Sequence, residues 1–506
     1  MPTRLPSFWI KVGLAVGLVA AADALLFEVR PGLGLGLFAL ACVAALPAVR
    51  ASHAAWPPLA VAAVLAALQI DRPTAVGCLL LVAAMGIAAL APRAASDGDV
   101  WRWSQRLIMA GLKGLVGPLL DLRRLLNARA RSRPLKVTAV LLGAILPLLG
   151  GAVFLWLFAS ANPVIGEGLA SLSLPEPDVG RVVFWGFVAA PVWALLRPRG
   201  LRRTRAAPGM AGDLDIPGVT TASIAVSLIV FNALFVLQNV LDLAFLWSGA
   251  GLPKGVSFAD YAHRGAYTLI ATAILAGLFV LVFLRPGSRT AASRPVRILV
   301  TVWVAQNLFL VASTMLRTFD YIEAYSLTRL RIAALAWMAL VAVGLVLVCW
   351  RLLRAKSSSW LINANVLAAA LVLAACSAVD LGALAAAWNV RHARELGGAG
   401  TNLDLCYLHS LKGAAIVSLA ELERKPLPDD LRDRASFVRR DLTAEVAADG
   451  AGWRSWRWRD ARRLGRVAAL TGEAPRRPAN EGRGCDGRKP PSPATPPLTP
   501  TSNPGT

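Results

Sequence analysis

The feature that most constrains this sequence is a series of apolar runs long enough to cross a lipid bilayer. A membrane-spanning helix needs about 20 predominantly apolar residues. Eleven such runs occur, at residues 10–27, 33–49, 56–70, 74–91, 137–160, 179–196, 219–247, 265–284, 296–316, 330–350 and 360–387. The chain is 56% hydrophobic and 16% charged, whereas soluble domains have about 25% charged residues. The sequence therefore excludes a soluble enzyme and predicts an all-α, polytopic transmembrane helical bundle of about eleven spans.

The first run also has features of a signal peptide, with a charged start and a small-residue end at residues 20–22. We predict an uncleaved first helix, because further hydrophobic segments follow at once. Either interpretation leaves the next residues outside, so the orientation of the later spans is the same.

Basic residues predict how the spans are oriented. The net charge is +23, and the arginines are concentrated in the connections at 92–136, 197–205, 285–297 and 351–356. The connection at 161–178 carries acids and no bases. Positive loops stay in the cytoplasm, so the N-terminus is predicted inside and, with eleven spans, the C-terminus outside. No nucleic-acid partner is expected, because no basic segment carries stacking aromatics on a recognisable module.

The longest connection, residues 92–136, separates an N-terminal four-helix membrane segment (1–91) from a seven-helix membrane core (137–388). Apolar residues recur in it at helical spacing, which leaves two interpretations open. One is an interfacial amphipathic helix on anionic lipid within residues 101–133. The other is a cytoplasmic connector with ordinary basic flanks.

Hydropathy falls after the last run, and residues 389–471 predict a small helical extramembrane region. Two amphipathic helices are predicted in it, at 403–423 and 428–448. A cluster of Trp and Arg follows at 453–463, which suits either a membrane surface or a small bundle that buries its tryptophans. Residues 472–506 are rich in Pro, Gly, Ser and Thr and predict a disordered tail.

Two features bear on the side of the membrane that this region occupies. Arg391 and Arg394 directly follow the last predicted span and argue against an outside location, although long C-terminal domains cross regardless of charge. Cys406 and Cys485 would form a disulfide only in an extracytoplasmic region.

Polar side chains near a membrane carry functional information, because an unpaired charge there is costly. The predicted topology places a set of acids, bases and aromatics at the outer face, namely Asp242, His263, Arg264, Tyr267, Asp320, Tyr321, Glu323, Tyr325, Arg329, Arg331 and Asp380. Three polar residues lie within predicted spans: Asn232, Gln306 and Asn307. These groups either pin helix ends through ion pairs or form a site for a ligand, ion or protein. The sequence contains no nucleophile–base pair or metal-ligand spacing, so no catalytic residue, metal or cofactor is expected.

Seven short motifs occur in the second half of the chain. They are HRGAY at 263–267, WVAQN at 303–307, YIEAYSLTRLR at 321–331, WM at 337–338, WLINAN at 360–365, WNVRH at 388–392 and LDLCY at 403–407. In combination they resemble a bacterial polytopic membrane family classed as a domain of unknown function, over roughly residues 217–427. The resemblance implies a multi-pass protein of the bacterial inner membrane with no assigned reaction and no catalytic residues to transfer. It also implies that the outer polar set belongs to the part that characterises the family.

Three functions follow from these expectations. The first is binding, sensing or scaffolding in the envelope, with an envelope protein as partner. The second is secondary transport of a small solute through the intramembrane amides. The third is a membrane enzyme for a lipid-linked substrate, with Asp320 or Glu323 as base and Arg329 or Arg331 holding phosphate. We favour the first and expect no enzyme.

Overall fold

Helices make up the regular structure of the residues that the structure describes. The computed structural model describes residues 5–49, 52–93, 99–118, 120–121, 124, 151, 178–199, 204, 220–244, 271–272, 275–280, 282–285, 287–398, 400–479 and 482–490. Within these ranges there is no strand, as expected for an all-α protein.

Sixteen helices within those ranges are numbered here in chain order. They are α1 (Leu5–Leu26), α2 (Leu33–Val49), α3 (Trp56–Asp71), α4 (Ala75–Leu90), α5 (Val100–Leu115), α6 (Val179–Leu196), α7 (Thr221–Asp242), α8 (Arg289–Ala292), α9 (Arg294–Tyr325), α10 (Arg329–Leu353), α11 (Ser358–Ala378), α12 (Leu381–His392), α13 (Leu405–Ser410), α14 (Ile416–Glu423), α15 (Asp429–Asp449) and α16 (Trp458–Thr471).

Seven helical segments of the described residues are long and apolar enough to cross a membrane. They are α1, α3 with its preceding 3-10 turn (His53–Asp71), α6, α7, α9, α10 and α11. The helices α2 and α4 are apolar but shorter. These helices indicate a multi-pass membrane protein, whereas the predicted count of eleven spans is not confirmed. Nearly all of the predicted span at 137–160 and much of the one at 265–284 lie outside the described residues.

Two predicted spans have different ends in the structure. The helix α9 continues to Tyr325, nine residues beyond the predicted end of its span, and stops where Ser326 has a φ of 69°. Hydropathy falls before the helix ends, because a helix that leaves the bilayer has polar residues. The predicted span 360–387 is two helices, α11 and α12, separated at Val379, whose backbone is extended. Asp380 then begins α12 by accepting hydrogen bonds from two backbone N–H groups of its first turn, at 3.1 Å each.

Contacts between Cα atoms divide the chain into two units. The first comprises residues 1–69 and 78–206, and its apolar core joins α1, α2, α3, α4 and α6. Asp23 of α1 accepts hydrogen bonds from Arg181 (Nε, 2.8 Å) and Trp185 (Nε1, 2.8 Å) of α6. The helix α5 lies within the segment considered for lipid contact, and that contact stays a prediction.

The second unit comprises residues 70–77 and 207–506 and has two apolar cores. The membrane core packs α7, α9, α10 and α11 around Trp303, which contacts the ring of Phe231 at a centroid distance of 5.4 Å. The other core joins α12 to α16 with Ile322 of α9 and with Leu327. We call residues 381–490 the C-terminal domain. Its core therefore includes a residue near the C-terminal end of α9, a helix long and apolar enough to cross a membrane.

The C-terminal domain departs from expectation at two places. The predicted helix 403–423 is divided into α13 and α14 at Lys412, whose φ of 54° interrupts the helix. Disorder from residue 472 does not hold for residues 482–490, which are fixed by a disulfide between Cys406 and Cys485 and by Arg434, which donates to the Asp486 carboxylate at 3.1 Å. Residues 491–506 lie outside the described ranges. The domain boundaries predicted from the sequence remain predictions.

Candidate functional site

The turn between α9 and α10 is held by the C-terminal domain. The side chain of Asn389, on α12, accepts a hydrogen bond from the backbone N–H of Leu327 at 2.7 Å and donates one to its carbonyl at 3.0 Å. The backbone N–H of Arg329 donates to the hydroxyl of Tyr407, on α13, at 2.9 Å. Both Leu327 and Asn389 are buried, so these bonds satisfy backbone groups that water does not reach.

Aromatic and basic residues of the predicted outer set meet at the end of α9. The guanidinium of Arg331 donates to the carbonyl of Tyr325 at 2.6 Å and also to that of Ser326. The same guanidinium lies 4.0 Å from the ring centroid of Tyr321, a cation–π contact. Arg331 therefore caps the end of α9.

A cluster of arginines and aspartates lies where the C-terminal domain meets the ends of α3 and α11. We call it the junction cluster, and it consists of Asp71, Arg72, Arg329, Asp380, Arg457, Arg459, Asp460 and Arg463. All eight residues belong to the second unit.

Asp380 is the most shared acid of the cluster. Its carboxylate caps α12 and also pairs with Arg72 at 3.1 Å, with Arg459 at 3.7 Å, and with Arg463. Its side chain is only 12% exposed. Because three guanidiniums share this one carboxylate, and its Oδ1 also accepts both backbone bonds, Asp380 does not neutralise its surroundings.

Arg459 connects the cluster to the membrane helices. Its Nε donates to Asp71, the last residue of α3, at 2.8 Å. Its Nη2 donates to the carbonyl of Ala378, the last residue of α11, at 2.8 Å. The first turn of α16 is therefore fixed at the ends of two apolar helices.

The positive charges of the cluster are close enough to repel one another. Burial, followed by the nearby Arg72 guanidinium, lowers the pKa of Arg463 to about 10. Burial and the guanidiniums of Arg329 and Arg459 lower the pKa of Arg72 as well. Asp460 compensates in part, since it pairs with Arg463 at 2.9 Å.

The predicted intramembrane amides lie between α7 and α9. Gln306 donates to the Asn232 side-chain oxygen at 2.7 Å, and Asn232 donates to the carbonyl of Leu299 at 3.1 Å. Asn239, which sequence reasoning did not single out as a candidate within the membrane, donates to the Gln306 carbonyl at 3.2 Å. Asn307 is fully buried and bonds to the Trp303 carbonyl of its own helix at 2.8 Å.

A buried ion pair joins the last residue of α7 to the C-terminal half of α9. Asp242 and Arg317 have side chains 3% and 7% exposed, and the Arg317 guanidinium donates to the carboxylate. Gln238 donates to the same carboxylate oxygen at 2.9 Å. Asp242, predicted for the outer face, is thus a buried group between helices.

The structure divides the predicted outer set into separate places. Arg329 and Asp380 come together in the junction cluster, whereas Asp320 and Glu323 lie on the last turns of α9, half-buried and exposed respectively. His263, Arg264 and Tyr267 lie outside the described residues. Whether any of these residues binds a ligand stays a prediction.

Sequence reasoning named Arg329 and Asp380 as candidate site residues and missed the other six members of the junction cluster. These are Asp71, Arg72, Arg457, Arg459, Asp460 and Arg463. Two signals for these residues were present in the sequence. Asp71 and Arg72 are an acid and a base side by side in the short connection between two apolar runs. Arg459 and Arg463 are spaced about one helical turn apart on α16.

Comparison with known proteins gives one family. The family model described as "Domain of unknown function (DUF4153)" matches residues 57–422. No curated protein and no solved structure matches the chain. The match begins much earlier than the resemblance at 217–427 implied, and it includes Asp71, Arg72, Arg329 and Asp380 but not α16. Since it covers well over half of the 506 residues, the chain belongs to the DUF4153 family.

Proposed function

We propose that this chain is a multi-pass protein of the bacterial inner membrane that presents its C-terminal domain outside the cytoplasm as a binding or scaffolding surface. The observation that carries the proposal is the disulfide between Cys406 and Cys485, whose Cα atoms are 4.9 Å apart. Disulfides form and persist in oxidising compartments such as the periplasm and are rare in the cytosol. The C-terminal location expected from the charge pattern agrees with this.

The attachment of the domain supports a binding role. Its helices are fixed to the membrane helices through Arg459, Asn389 and Tyr407. A surface that is held rigidly loses little conformational entropy when a partner binds. The partner that we propose is another envelope component.

A membrane enzyme is less well supported by the same contacts. Arg331 donates to carbonyls at the end of α9, and Arg329 donates to the Leu411 carbonyl at 3.1 Å. The Arg331 guanidinium is thus committed to backbone carbonyls. Arg329 lies in the junction cluster, of which neither Asp320 nor Glu323 is a member.

The side of the membrane is tested by thiol labelling. In a Cys485→Ser variant, Cys406 is a free thiol in the C-terminal domain. We expect a membrane-impermeant maleimide to label this variant in intact cells, and the Cys406→Ser/Cys485→Ser variant serves as control. Labelling that requires cell lysis contradicts the proposal, as does a wild-type chain whose cysteines are all reduced in the membrane fraction.

Solute transport is the second candidate, and one observation favours it. The side-chain oxygens of Asn239, Gln306 and Asn307 are buried and have no hydrogen-bond partner within the described part of the chain. Transporters coordinate coupling ions with carbonyl oxygens near the middle of the bilayer, and a buried amide side chain offers an oxygen of the same chemical kind. Under this candidate, sodium chloride stabilises the purified protein against heat more than choline chloride does, and Asn307→Leu removes the difference. Equal melting temperatures in the two salts contradict it.

A further inference from the structure

The junction cluster carries more positive than negative charge at the surface of the membrane helices. We propose that it binds a phosphate group, such as that of an anionic phospholipid headgroup, beside the N-terminus of α12. The proposal rests on the proposed function only for the side of the membrane on which the cluster lies. The thiol labelling described above measures that side independently.

The first argument is the balance of charge. The cluster contains five arginines and three aspartates. Asp380 is shared by three of the arginines and by the first turn of α12. A phosphate adds acceptor oxygens and negative charge, and guanidinium groups bind such oxygens in a bidentate manner.

The second argument is the location of Arg329. A Cβ atom on Gly382, in the first turn of α12, would lie 2.6 Å from Nη2 and 2.8 Å from Nε of Arg329. The guanidinium therefore lies directly against the first turn of α12, whose backbone N–H groups already donate to the shared Asp380 carboxylate. A further anion beside this turn would be attracted by the Arg329 guanidinium.

Arg329 also retains a free donor there. Its Nη2 donates to the Leu411 carbonyl at 3.1 Å, but its Nε is shielded from water and has no hydrogen-bond partner in the described ranges. An unsatisfied donor on a charged group costs free energy. A phosphate oxygen beside the first turn of α12 would satisfy it.

The third argument is the depth of the cluster in the membrane. Arg459 bonds to Ala378 and Asp71, which are the last residues of α11 and α3. The ends of apolar helices lie where hydrocarbon meets headgroups. The cluster therefore lies at the level of the phospholipid phosphates.

Exposed indoles next to the cluster agree with this depth. Trp458, adjacent to Arg459, is 53% exposed, and Trp453 is 61% exposed. Tryptophan is enriched at the membrane–water interface, where its ring lies among the headgroups. Arg72, whose side chain is 31% exposed, gives an anion access to the cluster from the same region.

The experiment compares two arginine variants of the full-length protein in detergent. Arg72→Gln removes a cluster charge, and Arg462→Gln removes an exposed charge on α16 outside the cluster. Phosphatidylglycerol, phosphatidylcholine and inorganic phosphate are titrated separately, and the melting temperature gives the apparent affinity. We expect phosphatidylglycerol to bind more tightly than phosphatidylcholine. Arg72→Gln should weaken this binding about tenfold, the loss of one charge-assisted hydrogen-bonded pair, whereas Arg462→Gln should leave it unchanged.

Each outcome either shows whether the phosphate group comes from a lipid headgroup or from free phosphate, or overturns the proposal. Stabilisation by inorganic phosphate, lost in Arg72→Gln and not reproduced by the lipid, identifies a free phosphate as the ligand. Equal losses in Arg72→Gln and Arg462→Gln mean general attraction to a basic surface and overturn the proposal, as does the absence of any effect in the wild type. If Arg72→Gln does not fold, Arg72→Lys replaces it. That variant keeps the charge but not the bidentate guanidinium, so unchanged affinity there also overturns the proposal.

Discussion

Within the membrane core, Asp242 and Arg317 depend on each other. Both are buried, and one oxygen of the Asp242 carboxylate has no hydrogen-bond partner among the residues that the structure describes. Removing one member of a buried ion pair leaves the other charge uncompensated, which is costlier than replacing both by apolar groups.

We expect Asp242→Asn to lower the free energy of unfolding by about 3–5 kcal/mol, because Arg317 keeps its charge. The double variant Asp242→Leu/Arg317→Leu should be closer to the wild type. Denaturant unfolding of the detergent-purified protein, followed by tryptophan fluorescence, measures both. Asp320→Asn, at a half-buried position on α9 three residues after Arg317, is the control. An Asp242→Asn protein as stable as that control contradicts the prediction.

For single residues, the sequence identified the polar side chains in or near the membrane better than it predicted their hydrogen-bond and ion-pair partners. Gln306 and Asn307 were expected to need hydrogen-bond partners inside the bundle. Gln306 bonds to Asn232 of α7, whereas Asn307 bonds to a carbonyl of its own helix. Asp380 was expected at the outer face, but its partner Arg463 was not expected there. Partners are harder to predict for a physical reason. The hydropathy of a segment indicates whether a charge within it is costly, whereas the partner of that charge depends on tertiary packing.

Among the helices, α14 and α15 are tied to the segment after α16 by a group of ion pairs. Arg439, buried on α15, donates to Glu423 at 2.7 Å and to Glu473 at 2.8 Å. Arg440 donates to Glu473 at 2.7 Å. Hydrogen bonds from Arg440 and Arg439 lower the pKa of Glu473 from 4.5 to about 2.

This lowered pKa makes the stability of the C-terminal domain depend on pH, and the direction of that dependence follows from the direction of the shift. Because the pKa is lower in the folded state, the stabilisation is complete above pH 4.5 and is lost as the pH falls toward 2. We expect the melting temperature of the full-length protein to fall less steeply between about pH 5 and about pH 2 in Glu473→Gln than in the wild type. Equal slopes in the two proteins contradict the prediction. Glu421→Gln, on the exposed surface of α14, is the matched control.

Helix ends were the hardest part of these elements to predict. The periodicity and length of the apolar runs predicted α7, α10 and α11 because hydrophobic burial in lipid dominates there. The ends of α9 and α11 depend on local backbone groups: Ser326 with positive φ, and the Asp380 side chain capping α12. Such terms amount to about 1 kcal/mol each, too little to appear in a hydropathy profile.

For the whole molecule, composition alone predicted a membrane protein, and the family match and the apolar helices agree with that class. The junction cluster was beyond prediction, because it joins residues far apart in the chain. Asp71 and Arg459 are separated by 388 positions, and no local pattern relates them. The C-terminal disulfide was predictable only in part. The sequence contains Cys406 and Cys485, but whether they pair depends on the compartment.

The continuity of α9 has a mechanical consequence. The helix has 32 residues and is therefore about 48 Å long, well beyond a hydrocarbon thickness of about 30 Å. Its C-terminal end carries Ile322, which belongs to the core of the C-terminal domain, so the helix itself connects the apolar segment to that domain. A change in tilt of about 10° would move that end by roughly 8 Å. A change in bilayer thickness that tilts this helix would therefore displace the core of the C-terminal domain with it.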